Sequence, residues 1–433
     1  MKVVGLKSAW KRLRDFAASR SGKGLSAATL YQAATYLLPL ITFPYLARVL
    51  GVEGFGLVGL ATAVVGYALL VTEWAFGLTA TQAVAQSQGD AAAVNRIIWS
   101  TLLAKTCLGL VCGAAIGIGA LFAPADLRPV LWASIVTLVG MIISVDWALR
   151  GVHATTSFAA TSIIGRAAAV PLIFILVRDR GDAAMAVFSL GVGGLITGAL
   201  GIWRGVRMGL IGRPETGVGD AWRAIRGGAH VFGSMAMTSL YTNTVTAGLG
   251  LFAGTAQVGL FAAADRVRKP FATLLSPINL VFFPRMGELA ASDPPAAERM
   301  ARRLLMIQGG AALLLTLALI ASAPLVVRIL LGDAFDPVVP VLQIQAGLIF
   351  LTGLSNVLGL MIMLPFGMKR AFTLCILSGA IVGLTALFPL AHSHGALGAS
   401  IAACLAEFSV TATMVFALRR RFSWVRLGRV RYA

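Results

Sequence analysis

Residues 302–331 read RRLLMIQGGAALLLTLALIASAPLVVRILL, and between Leu304 and Val327 no side chain carries a charge. A helix needs about 20 such residues to cross the roughly 30 Å hydrocarbon core of a bilayer. This stretch is long enough, and it is not alone. Working outward from it, comparable runs fall at roughly 25–48, 55–78, 94–122, 129–150, 157–177, 183–204, 226–253, 256–284, 338–364, 370–391 and 394–418. The pattern predicts an all-α integral membrane protein of about 12 transmembrane helices.

Composition agrees. Of 433 residues, 58% are hydrophobic and 12% charged, and the mean hydropathy is +0.86. Soluble chains carry about 25% charged residues. A soluble interior of this size cannot hide so many apolar side chains, whereas lipid-facing surfaces are free to be apolar. The basic stretch before residue 25 does not read as a secretory signal, because the apolar run after it is long enough to span. That run is expected to stay as the first helix.

The net charge of +19 is the kind of excess that nucleic-acid binding requires in a soluble chain. Its distribution points elsewhere. Arg48, Arg128, Arg178, Arg180 and Arg328 fall on one side of the predicted spans, and Lys105, Arg166, Arg266, Arg268 and Lys269 fall within them. The other 26 of the 36 Lys and Arg fall on the opposite side. Basic residues collect on the cytoplasmic side of membrane proteins, so both termini are expected there, and no nucleic-acid partner is needed. An anionic inner leaflet would attract the tails further, making membrane lipids partners in their own right.

The longest predicted connection is polar and sits centrally. The expected organisation is therefore a basic cytoplasmic tail at 1–24, an N-lobe of six helices at 25–204, a cytoplasmic inter-lobe loop at 205–225, a C-lobe of six helices at 226–418, and a basic tail at 419–433. An internal echo supports the halves. Gly51-Val52-Glu53-Gly54-Phe55-Gly56-Leu57 follows the first helix of one half, and Gly254-Thr255-Ala256-Gln257-Val258-Gly259-Leu260 follows the first helix of the other. The outer glycines and the leucines match, and Ala61 then aligns with Ala264. Parallel repeats of this kind are typical of transporters that rock one bundle against another.

Charges within spans are the most informative residues, since each costs roughly 2.5–3.5 kcal/mol at mid-bilayer on insertion scales. Lys105 lies well inside the third stretch, Arg166 halfway along the fifth, and Asp265-Arg266-Val267-Arg268-Lys269 near the middle of the eighth. Asp265 stands three and four residues before Arg268 and Lys269, within reach of either. Glu407 lies mid-way along the twelfth stretch, and Glu73 and Asp146 nearer the cytoplasmic ends of theirs. The plain alternative is mutual neutralisation or snorkelling, and it weighs most for Glu73, Asp146 and Arg48. The excess of deep cations from both halves predicts a central cationic cavity. Arg48, Lys105, Arg166, Arg266, Arg268 and Lys269 are its candidate ligands for a phosphate or diphosphate head group. Asp265 and Glu407 are candidate charge partners or ion-coupling groups.

Other features are plainer. Pro39 and Pro44 bend the first helix, and Pro270, Pro277 and Pro284 recur along the eighth. Gly113-x-x-x-Gly117 and Gly194-x-x-x-Gly198 read as close helix packing. His392 and His394 are expected in a short external loop, and His230 at the start of the seventh helix. Cys107, Cys112, Cys375 and Cys404 lie in apolar runs without metal-ligand spacing. The sequence has no Walker motif and no catalytic constellation, so neither a metal nor a resident cofactor is expected.

Tyr31-Gln32 and the string Pro44-Tyr45-Leu46-Ala47-Arg48-Val49-Leu50-Gly51-Val52-Glu53-Gly54-Phe55-Gly56 look like the start of the polysaccharide flippases. These form the Wzx-type, or polysaccharide-transporter, branch of the multidrug/oligosaccharidyl-lipid/polysaccharide exporters. Gly259-Leu260-Phe261-Ala262-Ala263-Ala264-Asp265-Arg266, Pro277 and Phe283-Pro284-Arg285 resemble the family's second half. Many members carry an Asn shortly before Gln32, where this chain has Ala28-Thr29-Leu30-Tyr31. The resemblance implies a cargo of undecaprenyl-diphosphate-linked oligosaccharide, turned from the cytoplasmic to the outer face for O-antigen, capsule or exopolysaccharide synthesis. It also implies a glycan polymerase and other assembly proteins as partners. A proton or sodium ion returning inward would reset the carrier, with Glu407 as the group to carry it. Two readings stand beside this one: a cation-coupled multidrug exporter of the same superfamily, and a membrane glycan polymerase or glycosyltransferase. Those enzymes present a substantial polar loop with catalytic side chains, whereas the external loops expected here are short.

Overall fold

Long uncharged runs of Ala, Leu, Val and Gly satisfy their backbone hydrogen bonds internally only as helices, the one open-chain form that lipid accepts. The computed structural model describes residues 20–419, with the side chains of 20–26, 28, 234, 237–244, 251 and 280 left out of that description. The basic residues expected in the tails before Arg20 and after Arg419 lie outside the described residues.

In chain order the helices are α1 (Arg20–Glu73), α2 (Phe76–Gln86), α3 (Ala91–Phe122), α4 (Arg128–Ile143), α5 (Asp146–Gly151), α6 (Thr155–Leu176), α7 (Ala183–Arg207), α8 (Val218–Phe252), α9 (Thr255–Thr273), α10 (Ser276–Ser292), α11 (Pro294–Leu330), α12 (Val338–Asn356) and α13 (Lys369–Arg419). A π-helical turn, Val357–Met363, prolongs α12. Among the described residues, eight helical segments are long and apolar enough to cross a membrane. Two of them, Thr29–Gln86 with 58 residues and Lys369–Arg419 with 51, are more than twice the length that a bilayer needs.

Glycine breaks both. Gly51 interrupts α1 at φ 66° and ψ −175°, a conformation essentially closed to residues with a Cβ. Gly395 interrupts α13 at φ 55° and ψ −129°. Each long segment thus provides two crossings, giving ten, and α8 with the α9–α10 pair supplies the other two expected stretches. Those two are less apolar: after Arg226 the α8 sequence is uncharged but rich in Gly, Ser and Thr with Asn243, and α9 carries the charged run from Asp265.

Several boundaries differ from the sequence reading. The eighth stretch is not one kinked rod: Thr273 ends α9, and α10 starts at Ser276 with Pro277 in its first turn. Helix continues through His392 and His394, where a loop was expected, because the turn is made by the single residue Gly395. The Gln257 side chain accepts a hydrogen bond from the Ala396 amide at 2.8 Å, restarting the helix there. The fourth crossing breaks at Ser144 and Val145 before α5 resumes. Elsewhere the ends follow ordinary capping: Asp90 accepts from Ala93 N at the start of α3, and Asp293 from Ala296 N at the start of α11.

Contacts divide the chain into two compact units. Unit 1 comprises the residues up to Leu50 and Ala61–Ala236, and unit 2 comprises Gly51–Leu60 and the residues from Met237 on. In unit 1, Gly140 on α4 faces Gly194 on α7, so close that a Cβ on Gly140 would lie 2.7 Å from the Gly194 carbonyl carbon. Gly198 faces Ile143, while Gly113 and Gly117 of α3 face Leu138 and Trp132 of α4. Small residues thus let these helices approach closely. Tyr45 of α1 donates to the Val177 carbonyl at 2.6 Å and packs on Phe174 at 4.4 Å between ring centres. In unit 2, the core gathers Met286, Leu304, the π-helical turn and Met414.

Candidate functional site

The break at Ser144 frees that residue's carbonyl from the helix ladder, and a deep cation uses it. Lys105 of α3 is fully buried. Its Nζ donates to Ser144 O at 3.2 Å and pairs with Glu73 Oε2 at 3.1 Å. The ammonium is therefore neutralised within unit 1 by a carboxylate from the end of α1. Asp146 and Arg150 of α5 complete a balanced group of two acids and two bases. Asp146 lies within electrostatic range of Lys105, Arg150 and Glu73.

A cavity of about 380 Å³ opens beside this group. Pro39 and Thr42 of α1, Thr137, Gly140 and Ser144 of the fourth crossing, Asp146 of α5, Ser162 and Arg166 of α6, and Gly193 and Thr197 of α7 line it. Arg166 stands mid-way along α6 and is exposed. Its Nη2 donates to Tyr31 Oη at 3.5 Å, and its guanidinium carbon lies 5.6 Å from the centre of that ring. Tyr31 packs on Phe158 at 4.8 Å, and Phe158 in turn takes the Arg150 guanidinium at 5.4 Å. Two aromatic rings thus connect two cations through quadrupole contacts. Among the described residues no carboxylate comes within 4 Å of Arg166. The sequence pointed to Arg166 but not to Ser162, which shares its helix face four residues earlier, nor to the threonines opposite.

Unit 2 holds the second charged group. Asp265 pairs with both neighbours its spacing allows, Arg268 through Oδ1 and Lys269 through Oδ2, each at 2.6 Å. Lys269 is two-thirds exposed and Arg268 mostly covered. Arg266 lies over the Phe55 ring at 4.8 Å, and Phe55 meets Phe335 edge-on. Glu407 of α13 accepts from Ser355 Oγ at 3.5 Å. Gln345 donates to Ser400 Oγ at 3.2 Å and to Phe261 O at 3.3 Å. Arg48 is exposed on α1, three residues before the Gly51 break. The candidate cations therefore fall into different settings: Lys105 is sealed against Glu73, Arg268 and Lys269 share Asp265, and Arg166 faces open space.

Comparison with known proteins agrees with the helical architecture. The multidrug transporter of the MATE family and the MOP superfamily, solved in an inward-facing conformation, superposes with a TM-score of 0.69 at 16% identity, over 92% of this chain and 95% of that one. The lipid II flippase MurJ in its inward closed conformation gives 0.72 at 11% identity, over 90% and 87%. At those identities the likeness establishes the fold. Sequence carries the relationship further. A candidate O-antigen transporter of Escherichia coli (strain K12) is 32% identical over 393 residues, 90% of this chain and 94% of that protein. With residues 21–290 also matching the family as a whole, this multi-pass membrane chain belongs to the polysaccharide biosynthesis protein family.

Proposed function

We propose that the protein is a flippase. It carries an undecaprenyl-diphosphate-linked oligosaccharide from the cytoplasmic to the periplasmic face of the bacterial cytoplasmic membrane, for O-antigen, capsule or exopolysaccharide synthesis. Arg166 carries the reading. It is a permanent cation at mid-span, facing a cavity, with no carboxylate within 4 Å among the described residues. A group so expensive to hold there is usually functional, and a guanidinium matches phosphate oxygens in charge and fork geometry. The relationship to a candidate O-antigen transporter supports the same cargo class. A cationic drug, the usual cargo of exporters in the superfamily, would be repelled.

Transport of this kind needs positioning rather than covalent chemistry. The carrier exposes its site to one face and then the other. With both termini in the cytoplasm and the interior negative, outward movement of a diphosphate runs downhill by about 2.3 kcal/mol per charge per 100 mV. A proton or sodium ion moving inward resets the carrier, and Glu407 is the group assigned to it. A bacterium deleted for the gene should accumulate lipid-linked oligosaccharide on the cytoplasmic side and lose surface glycan, with the wild-type chain restoring both. Drug sensitivity without any glycan defect would contradict the proposal and favour the exporter reading.

A further inference from the structure

Among the described residues, two polar atoms at the unit 1 cavity have no hydrogen-bond partner. Ser162 is 3% exposed, and its Oγ makes no hydrogen bond among the described residues. Asp146 Oδ1 is likewise buried and unpartnered. Other hydroxyls on the cavity wall turn back to their own helices, Thr42 to Leu38 O at 3.3 Å and Thr197 to Gly193 O at 3.0 Å. Thr161, next to Ser162 on α6, likewise turns back to its own helix, with Ser157 O at 3.1 Å and Phe158 O at 3.0 Å. Asp146 sits beside a Lys105 ammonium that Glu73 has engaged. Buried polar atoms are nearly always satisfied, so two unpartnered ones on one cavity are open to hydrogen bonds from a molecule bound there.

Charge narrows what the ligand is. A metal cation entering here would meet Arg166, with Lys105 and Arg150 nearby. A simple anion next to Asp146 would meet that carboxylate and Glu73. A neutral polyol fits both atoms, giving a hydroxyl proton to Asp146 Oδ1 and sharing a hydrogen bond with Ser162 Oγ. At about 380 Å³ the space lies near the lower end of small-molecule sites, about 300–1,000 Å³. It holds a single sugar rather than an oligosaccharide. Ser162 and Arg166 are four residues apart on α6, hence neighbours about 5–6 Å apart between Cβ atoms. A phosphate on Arg166 brings the sugar bonded to it against Ser162.

We infer that this cavity is a glycan subsite, in which Arg166 holds the diphosphate while Ser162 and Asp146 read hydroxyls of the sugar attached to it. The inference rests on the flippase reading and adds where, and by which side chains, the cargo is distinguished.

The test uses the full-length protein in proteoliposomes. Two polyprenyl-diphosphate disaccharides differing only in the sugar next to the diphosphate, N-acetylglucosamine or N-acetylgalactosamine, are compared for flipping. Binding of inorganic pyrophosphate is measured in parallel. Wild type should prefer one epimer by at least about tenfold. Ser162→Ala and Asp146→Asn should shrink that ratio to within about twofold of unity and leave pyrophosphate binding unchanged, which also shows that each variant is folded. If Asp146→Asn binds no pyrophosphate, Ser162→Ala decides the matter. Arg166→Gln should weaken both epimers and pyrophosphate together. An unchanged ratio in the folded variants, or no preference in wild type, overturns the subsite. Wild type that flips neither compound overturns the flippase reading, and the subsite with it.

Discussion

Gly56 and Gly259 lie against one another's backbone, and the arrangement is reciprocal. A Cβ on Gly56 would stand 3.0 Å from the Gly259 nitrogen, and one on Gly259 would stand 3.2 Å from the Gly56 nitrogen. Each would also press on a carbonyl of the opposite segment, Thr255 O in one case and Val52 O in the other. Those carbonyls belong to the residues following Gly254 and Gly51. These two glycines share one backbone conformation, φ 85° with ψ 169° and φ 66° with ψ −175°. The echo in the sequence is thus a local two-fold relationship within unit 2.

Adding a methyl group at this crossing forces the helices apart. Gly56→Ala and Gly259→Ala should each lower stability by about 1–3 kcal/mol. Gly51→Ala should cost a similar amount by backbone strain. Gly119→Ala and Gly310→Ala, at positions with nothing within 4 Å, serve as controls and should be neutral or slightly stabilising. Thermal unfolding of the detergent-solubilised protein measures all five, and equal effects at Gly56 and Gly119 would contradict the crossing.

The Lys105–Glu73 pair should behave as a buried unit. Lys105→Met or Glu73→Gln alone strands a charge and should cost about 3–5 kcal/mol. The double variant should recover most of that loss. Additive losses in a double-mutant cycle would show that the two side chains are independent.

Asp265 serves two cations that differ in exposure. Lys269→Ala removes an exposed arm and should change stability by no more than about 1 kcal/mol. Arg268→Ala, with that side chain 14% exposed, should cost distinctly more. Unfolding curves that rank Lys269→Ala above Arg268→Ala would contradict the pairing.

In the α6–α7 turn, the Arg178 and Asp179 amides both donate to Asp182 Oδ2 at 2.9 Å, and these bonds hold its carboxyl below the ordinary 3.8. A depressed carboxyl stabilises the fold at pH values above its unfolded pKa, and the contribution fades as pH falls through the folded value. Hydrogen exchange at those two amides should therefore be flat with pH-corrected rates above about pH 5 and rise only below about pH 4. Asp182→Asn should abolish the acid transition, and its persistence in that variant would count against the assignment.

How far these relationships could be read in advance depended on how local they are. Apolar length gave the crossings, and spacing of three and four gave the Asp265 pairs, because both are properties of one helix. The glycine echo was visible as a string, but the contact between Gly56 and Gly259 was not. Neither was Glu73 as the partner of Lys105, since they lie on different helices, α1 and α3. The same limit hid the cavity: Thr42, Asp146, Ser162 and Thr197 come from four separate helices. The helix through His392 and His394 was missed because its turn rests on one glycine and a cap from the distant Gln257.

Arg166 tests the central claim most directly. In proteoliposomes loaded with a fluorescent undecaprenyl-diphosphate-linked oligosaccharide, wild type should flip the lipid. Arg166→Ala should slow flipping at least tenfold, since a stranded diphosphate loses about 2 kcal/mol or more of charge pairing, while Arg166→Lys should retain part of the rate. Undiminished flipping by Arg166→Ala, at equal protein incorporation, would contradict the account.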